Sequence, residues 1–114
     1  MRILLTGAAG FIGYHTAIKL LERGDEVVGL DNVSSYYDPT LKEARLKLLQ
    51  AKKGFSFIRG DILDRATVAK AMEGVDRVLH LAALAGVRYA FEHPDEYIAI
   101  NITGFFHVLD EVRK

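Results

Sequence analysis

The sequence contains no cysteine, which excludes a disulfide framework and any zinc site built on thiolates. It also lacks net charge, because 15 lysine and arginine residues balance 15 aspartate and glutamate residues. This balance, together with the absence of any run of like charges, argues against nucleic acid as a partner. No pair of its 4 histidines has zinc-ligand spacing supported by a carboxylate, so we predict no metal site.

Long apolar runs are missing as well. The first apolar stretch, Ile3 to Leu5, meets a glycine too soon to be a signal peptide or a membrane span. We therefore expect a soluble, cytoplasmic protein with no membrane among its partners. A length of 114 residues, of which 50% are hydrophobic, suits one small domain with a modest core.

A glycine triplet, Gly7, Gly10 and Gly13, follows the first apolar run and leads into a helical pattern. Glycines let the backbone turn tightly and bring its N–H groups close to a diphosphate, whose charge the helix dipole favours. An ordinary turn is the alternative. Asp31 ends the next apolar run, near the spacing expected for a carboxylate that binds ribose hydroxyls, and its charge favours NAD over NADP. A structural turn or cap is the alternative for Asp31.

Apolar runs alternate with helical patterns along the rest of the chain. The pattern predicts strands over 3–5, 27–30, 55–58 and 77–81. It predicts helices over 11–23, ended by Gly24, from Pro39 onward, from the N-cap Asp64 to about 72, and over 94–113, where Gly104 indicates close packing. In the helix that begins at Pro39, the predicted buried residues are Leu41, Ala44, Leu48 and Leu49, and the predicted solvated basic residues include Lys42, Arg45 and Lys47.

This alternation predicts an α/β fold, a Rossmann-type doubly wound parallel sheet with helices on both faces. Right-handed crossovers, with the third helix returning over the opposite face, give the strand order 3-2-1-4. We expect a ligand at the carboxyl ends of strands one and four, between the glycine turn and the turn over 82–86.

Several motifs occur together: Thr6-Gly7-Ala8-Ala9-Gly10-Phe11-Ile12-Gly13, Asp31-Asn32, Tyr36-Tyr37-Asp38-Pro39, Gly60-Asp61, His80-Leu81-Ala82-Ala83 and Ala85-Gly86-Val87-Arg88-Tyr89. With them the chain resembles the N-terminal, NAD-binding part of the extended short-chain dehydrogenase/reductases. Within that group it is most similar to nucleotide-sugar epimerases of the UDP-glucuronate 4-epimerase type. The resemblance implies one truncated dinucleotide-binding domain over residues 1–114, without the substrate-binding domain.

The resemblance also implies NAD as the cofactor and assigns residues to it. Gly7, Gly10, Phe11 and Ile12 would surround the pyrophosphate, Asp31 and Asn32 the adenosine ribose, Asp61 and Ile62 the adenine, and Leu81, Ala82 and Ala83 the other ribose and its phosphate, while Asn101 would support the turn or the cofactor. As alternatives, Ile62, Ala82 and Ala83 belong to the core and Asp61 caps a turn. Leu84 stands where the family often has a hydrogen-bonding side chain.

Arg88 and Tyr89 follow the fourth strand, where the resemblance places the substrate. An arginine there could pair with the anionic substrate. A surface salt bridge is the alternative for Arg88.

Catalysis in such a family is a transient hydride transfer to NAD, assisted by a tyrosine with a lysine four residues later. Four residues after the 5 tyrosines stand Ile18, Thr40, Leu41, His93 and Asn101, so none has its lysine. We therefore predict no catalytic residue and an NAD-binding half-domain that is inactive by itself. One alternative is a half-enzyme completed by a separate chain, and another is a scaffold that self-associates without binding NAD. An open fourth-strand edge or the final helix would make the chain a homodimer or higher oligomer.

Overall fold

The computed structural model describes residues 1–33, 39–84 and 87–114, and the motif residues 34–38 and 85–86 lie outside this range. The elements, in chain order, are β1 Arg2–Thr6, α1 Phe11–Glu22, β2 Glu26–Asp31, α2 Pro39–Gln50, β3 Phe55–Arg59, α3 Arg65–Ala71, β4 Arg77–His80, α4 Val87–Glu92, α5 Pro94–Ile98, a π-helical segment Ala99–Gly104, and α6 Phe105–Arg113.

The four strands form one parallel sheet in the order β3-β2-β1-β4, which confirms the predicted topology. The central strand β1 pairs with both β2 and β4, so that Leu4 stands opposite Val28 on one side and Val78 on the other. Strands β1 and β2 are almost wholly buried, as expected for a parallel sheet covered on both faces.

Two hydrophobic clusters lie on opposite faces of the sheet, because successive side chains of a strand point to opposite sides. Ile3 and Leu5 of β1 pack in one cluster with residues of α1 and α2, and Leu4 packs in the other with Val68 of α3 and Val108 of α6. Helices therefore cover both faces of the sheet. The connections change from one face to the other between β1 and β4, and the carboxyl ends of these two strands mark this switch point.

The ends of two helices follow their local sequence signals. Beyond α1, Gly24 has φ +90° and its N–H donates to the carbonyl of Leu21 at 3.0 Å, which is a glycine helix stop. Before α3, the carboxylate of Asp64 accepts a hydrogen bond from the N–H of Ala66 at 3.2 Å. Both of these predicted ends are confirmed.

The predicted buried face of α2 is wrong except at Leu49. Leu46 and Leu49 are buried, whereas Leu41, Ala44 and Leu48 are exposed. Two apolar residues three positions apart suffice to seat this short helix, and they rotate it away from the predicted phase. The rotation turns Lys42 and Arg45 inward, so the expectation that both lie on a solvated face is also wrong.

The region over 94–113 is helical but is not one regular helix, because the π-helical segment interrupts it. A short helix, α4, precedes it and was not predicted. Gly104 packs closely as expected, since a Cβ there would lie 2.5 Å from Cδ1 of Ile62. Within the described part of the chain, no helix combines the length and apolarity needed to cross a bilayer.

Candidate functional site

A cavity of about 750 Å³ opens at the carboxyl ends of the strands, within the size range of small-molecule sites. The elements that wall it are the glycine turn, the ends of β2 and β3, one face of α2, the segment after β4 and the helical region that begins at α5. Its lining residues are Gly7, Gly10, Phe11, Leu30, Asp31, Asn32, Leu41, Lys42, Arg45, Gly60, Asp61, Ile62, Leu63, Leu81, Ala82, Ala83, Leu84, Glu96 and Ile100.

The glycine turn is packed backbone against backbone. Gly7 has φ +73°, and a Cβ on it would lie 2.9 Å from the nitrogen of Ala82 in the segment after β4. A Cβ on Gly13 would lie only 2.0 Å from the carbonyl oxygen of Gly7. Both positions therefore need glycine, and the contact of Gly7 with Ala82 brings the glycine turn and the segment after β4 together at the switch point of the sheet, as predicted.

The N-terminus of α1 opens beside this turn. Gly10 is its N-cap, and no side chain of the described residues caps the helix. The first amides of α1, on Phe11 and Ile12, therefore keep their hydrogens for a ligand. These amides lie at the positive end of the helix dipole, which favours binding of an anion.

Asp31 is buried at the end of β2, and both of its carboxylate oxygens are engaged. One accepts a hydrogen bond from the N–H of Ala9 at 3.0 Å, and the other from the N–H of Val33 at 2.7 Å. Asp31 thus has the structural role proposed as its alternative, tying the glycine turn to the strand end. Each oxygen has a second lone pair, so the carboxylate can also accept a hydrogen bond from a ligand hydroxyl.

Val33 adjoins this carboxylate in an unusual conformation, with φ +52°. A β-branched residue in the left-handed region costs about 1–3 kcal/mol and is held only where its surroundings enforce it. The hydrogen bond from the Val33 N–H to Asp31 is such a constraint.

Two basic residues of α2 belong to the cavity wall, although both were predicted to lie in solvent. The ammonium nitrogen of Lys42 lies 3.5 Å from a carboxylate oxygen of Asp31. The Arg45 guanidinium donates to the carbonyl of Ala9 at 3.1 Å and lies over the ring of Phe11 at 5.9 Å. Within the described ranges, no carboxylate pairs with Arg45. The signal that could have found both is their spacing of three residues, which puts them on one helix face.

The ends of β2 and β3 are joined by polar side chains. The amide of Asn32 donates to the carboxylate of Asp61 at 3.3 Å, and Asp61 also accepts from the N–H of Leu63 at 2.9 Å. Asp61 therefore shapes a turn, as in its alternative interpretation, while it faces the cavity together with Ile62.

Thr6 and His80 tie β1 to the end of β4. Oγ1 of Thr6 accepts hydrogen bonds from the N–H groups of Leu81 at 3.0 Å and Ala82 at 3.1 Å, and it lies 2.7 Å from Nδ1 of His80. With its lone pairs engaged, the hydroxyl donates its proton to Nδ1, which puts the imidazole hydrogen on Nε2. Burial lowers the pKa of His80 and favours this neutral form. The sequence carried no signal for the pair, whose members lie far apart in the chain.

Asn101 lies in the π-helical segment and fixes the segment after β4 by hydrogen bonds. Its amide nitrogen donates to the carbonyl of Leu84 at 2.8 Å, and its amide oxygen accepts from the N–H of Leu84 at 2.8 Å. Asn101 thus contacts the turn and does not line the cavity. A π-helical turn often marks a functional position, and here it carries the residue that anchors the wall.

Ten of the predicted site residues line the one cavity: Gly7, Gly10, Phe11, Asp31, Asn32, Asp61, Ile62, Leu81, Ala82 and Ala83. Ile12 and Gly13 belong to α1 and are not among the lining residues. Arg88 is not among the lining residues, and its guanidinium pairs with Glu92 at 3.1 Å on the exposed surface of α4. This contact is the surface salt bridge named as the alternative for Arg88.

A family model described as GDP-mannose 4,6 dehydratase matches residues 4–114. The chain belongs to this family. UDP-glucuronate 4-epimerase 3 of Arabidopsis thaliana is 51% identical over 110 residues, which are 95% of this chain and 25% of that protein. A probable UDP-glucuronate 4-epimerase of Rhizobium meliloti (strain 1021) is 45% identical over 112 residues, which are 96% of this chain and 33% of that protein.

Solved structures of family members show the same fold. The UDP-glucuronic acid 4-epimerase of Bacillus cereus in complex with UDP-glucuronic acid and NAD superposes with a TM-score of 0.89 at 38% identity, over 97% of this chain and 36% of that one. DesIV of Streptomyces venezuelae, a dTDP-glucose 4,6-dehydratase with NAD and TYD bound, gives 0.83 at 31% identity, over 97% and 35%.

These comparisons confirm the resemblance to nucleotide-sugar epimerases among the short-chain dehydrogenase/reductases and confirm the Rossmann-type fold. NAD is the cofactor of the family. The chain spans about a quarter of the length of the first curated relatives.

Proposed function

We propose that this chain is the NAD-binding Rossmann unit of a nucleotide-sugar 4-epimerase of the UDP-glucuronate type. The observation that carries the proposal is that three groups meet in one cavity: the N-terminus of α1, which no side chain of the described residues caps, the Arg45 guanidinium, which pairs with no carboxylate of those residues, and the buried carboxylate of Asp31. Amides and a cation suit a diphosphate, and a carboxylate beside them suits ribose hydroxyls. The residues present therefore fit a dinucleotide.

Each end of the dinucleotide has a wall of suitable chemistry. The amides of Phe11 and Ile12 would bind the diphosphate, and Asp31 with Asn32 would bind the adenosine ribose. The adenine would lie against Asp61 and Ile62, and the other ribose with its phosphate would follow Leu81, Ala82 and Ala83. Bound NAD supplies the family's chemistry, which is reversible acceptance of a hydride.

We propose further that these 114 residues do not catalyse epimerisation by themselves. The substrate hydroxyl needs a general base with a suitably tuned pKa, and no tyrosine lines the cavity within the described part of the chain. No tyrosine of the sequence has a lysine four residues later. Conversion of a UDP-sugar by the purified chain would contradict this proposal, and activity only after mixing with a complementary chain would favour the half-enzyme alternative.

Calorimetric titration with NAD tests the binding site. We expect the unaltered chain to bind NAD, Gly10→Val to abolish binding, and Asp31→Ala to weaken it about tenfold or more, because each removes a contact with a charged or hydroxylated part of the ligand. In Gly10→Val, the new Cβ lies 3.2 Å from the carbonyl oxygen of Gly7, and its methyl groups occupy the diphosphate space.

Glu22→Gln, at the far end of α1, is the matched control and should bind like the unaltered chain. Equal affinity in all variants would refute the assigned site. A folded chain that gives no heat with NAD would favour the alternative of a scaffold that does not bind the cofactor.

We also propose that the chain self-associates through its last helical region. Besides Phe106, its large exposed apolar side chains form a row of Ile98, Ile102, Phe105, Leu109 and Val112. They recur at alternating intervals of four and three residues, the spacing of a helix-packing seam. An apolar row of this kind favours burial against a partner, and a second copy of the chain supplies an identical row.

Light scattering across micromolar concentrations tests this association. We expect a dimeric or larger mass for the unaltered chain and a monomeric mass for Leu109→Lys, because a buried ammonium opposes packing of the seam. Leu48→Lys on α2 is the control, since Leu48 is similarly exposed but lies outside the row. A monomer at every concentration would contradict the proposal.

A further inference from the structure

Lys42 occupies a position that its own helix does not favour. It lies in the first turn of α2, where the helix dipole disfavours a cation, and that turn contains no acidic residue. Its side chain is only 17% exposed, and the carboxylate 3.5 Å away belongs to Asp31, which is 4% exposed. A lysine so buried needs an anion, and this anion is the group that would face the adenosine ribose.

Besides Asp31 and Lys42, the charged residues that line the cavity in the described part of the chain are Arg45, Asp61 and Glu96. Arg45, one turn further along α2, adds a second cation without a carboxylate partner among the described residues. Asp61 adds a carboxylate that accepts from the side chain of Asn32. Asp31 is therefore neither the only charge here nor an isolated one, and its field at the ribose is reduced by the ammonium beside it.

This pairing changes how strongly Asp31 can exclude the 2′-phosphate of NADP. A lone carboxylate at the end of the second strand repels a 2′-phosphate, whereas a carboxylate paired with an ammonium repels it less. If the charge of Asp31 is removed, the ammonium remains in the wall as a counter-ion for a phosphate.

Resting on the proposed NAD site, we propose that Lys42 is a specificity-determining residue that sets how strongly this site discriminates between NAD and NADP. Paired with Asp31, it moderates the rejection of the 2′-phosphate. With Asp31 neutralised, it becomes the group that binds this phosphate. A purely structural lysine would instead affect both dinucleotides alike, through the position of Asp31.

The test is a double-mutant cycle read as the ratio of the Kd for NADP to the Kd for NAD, measured by calorimetry. The variants are Lys42→Met, which keeps most of the length of the side chain without its charge, Asp31→Asn, and the double variant. We expect Lys42→Met to raise the ratio about tenfold and Asp31→Asn to lower it about tenfold or more. The double variant should lose the gain in NADP binding that Asp31→Asn produces.

Lys47→Met is the matched control, because Lys47 lies on the exposed side of the same helix, and it should leave the ratio unchanged. Equal changes of both Kd values in Lys42→Met would overturn the inference, as would a double variant that prefers NADP as strongly as Asp31→Asn. If Asp31→Asn does not fold by circular dichroism, the Lys42→Met ratio decides alone. If the unaltered chain is folded but binds neither dinucleotide, the proposed NAD site itself is overturned. The ratio of the two Kd values tests only the role of Lys42 and does not bear on whether the site exists.

Discussion

The region over residues 2–31 and the region over 77–113 are built by different means. In the first, β1 and β2 are buried, and α1 packs Gly13, Ala17 and Leu20 against them. In the second, β4 is only half covered, and the helical region after α4 buries Ile100, Gly104 and Val108 while its apolar row stays exposed. The first region is therefore held mainly by burial of its own strands and helix, whereas the segment after β4 in the second region is held by hydrogen bonds from Thr6 and Asn101.

The close contacts of the two regions differ in the same way. At Gly13 a side chain would meet backbone atoms that cannot move, and at Gly104 it would meet the end of the Ile62 side chain. Thr6 holds the second region to the first, whereas Asn101 ties the segment after β4 to the π-helical segment within the second region. This contrast leads to four predictions, taken in order of decreasing expected effect.

Gly13→Ala should destabilise the fold most, by about 3 kcal/mol or more, because its Cβ lies 2.0 Å from the carbonyl oxygen of Gly7 and the backbone must open. Gly104→Ala is the matched change in the second region and should cost less, about 1–3 kcal/mol, because Ile62 can change its rotamer. Urea unfolding of both variants measures the difference. An equal loss of unfolding free energy in the two variants would contradict the proposed difference between the two regions.

Asn101→Ala should cost about 1–3 kcal/mol, because it leaves the N–H and the carbonyl of Leu84 without their 2.8 Å partners in a partly buried place. Asn101→Asp keeps the acceptor and loses the donor, so its cost should be intermediate. Hydrogen exchange of the Leu84 amide gives a local readout that Asn101→Ala should accelerate. Unchanged exchange in that variant would show that the clamp does not hold the turn.

Acid should weaken the attachment of α6 to α3. Arg113 and Arg65 hydrogen-bond the carboxylate of Asp110 and lower its pKa from 3.8 to about 2. A carboxyl with a lowered folded-state pKa contributes stability above its unfolded pKa and loses it as the pH falls from about 4 towards 2. The urea midpoint of the unaltered chain should therefore fall over this range by more than that of Asp110→Asn. Parallel curves for the two proteins would contradict the prediction.

The smallest effect concerns His80. Burial lowers the pKa of His80 below 6.5. The neutral ring therefore contributes to the free energy of unfolding above pH 6.5, and this contribution is lost as the pH falls through the folded-state pKa. NMR titration of the His80 ring should give a midpoint below 6.5, with the proton on Nε2 at neutral pH. A midpoint above 6.5 would show that Thr6 stabilises the charged ring and would reverse the assigned hydrogen-bond direction.

Much of the first region could be predicted from sequence because its signals are local. The triplet from Gly7 to Gly13, the stop at Gly24 and the cap at Asp64 act on residues within a few positions, and each was found in its predicted role in the backbone. The strand order followed as well, since the handedness of crossovers leaves few topologies.

The predictions that failed concern elements whose residues were equally consistent with two structural patterns. On α2, five apolar residues allowed more than one buried face, and packing of Leu46 and Leu49 selected one of them. The same rotation brought Lys42 beside Asp31; the spacing of Lys42 and Arg45 puts both on one helix face but does not say which element that face contacts. The π-helical segment also escaped prediction, because its apolar spacing over a few residues matches that of an α-helix.

By itself, the sequence determined the order of the sheet, the glycine cradle and the place of Asp31 at the end of β2, because each depends on local backbone requirements and on chain handedness. Only the tertiary structure decided the charge around that carboxylate, the Thr6–His80 tie and the clamp of Asn101 on Leu84. These contacts join residues distant in sequence. Their geometry is set by how the helices settle on the sheet, and that packing depends on all of the layers at once.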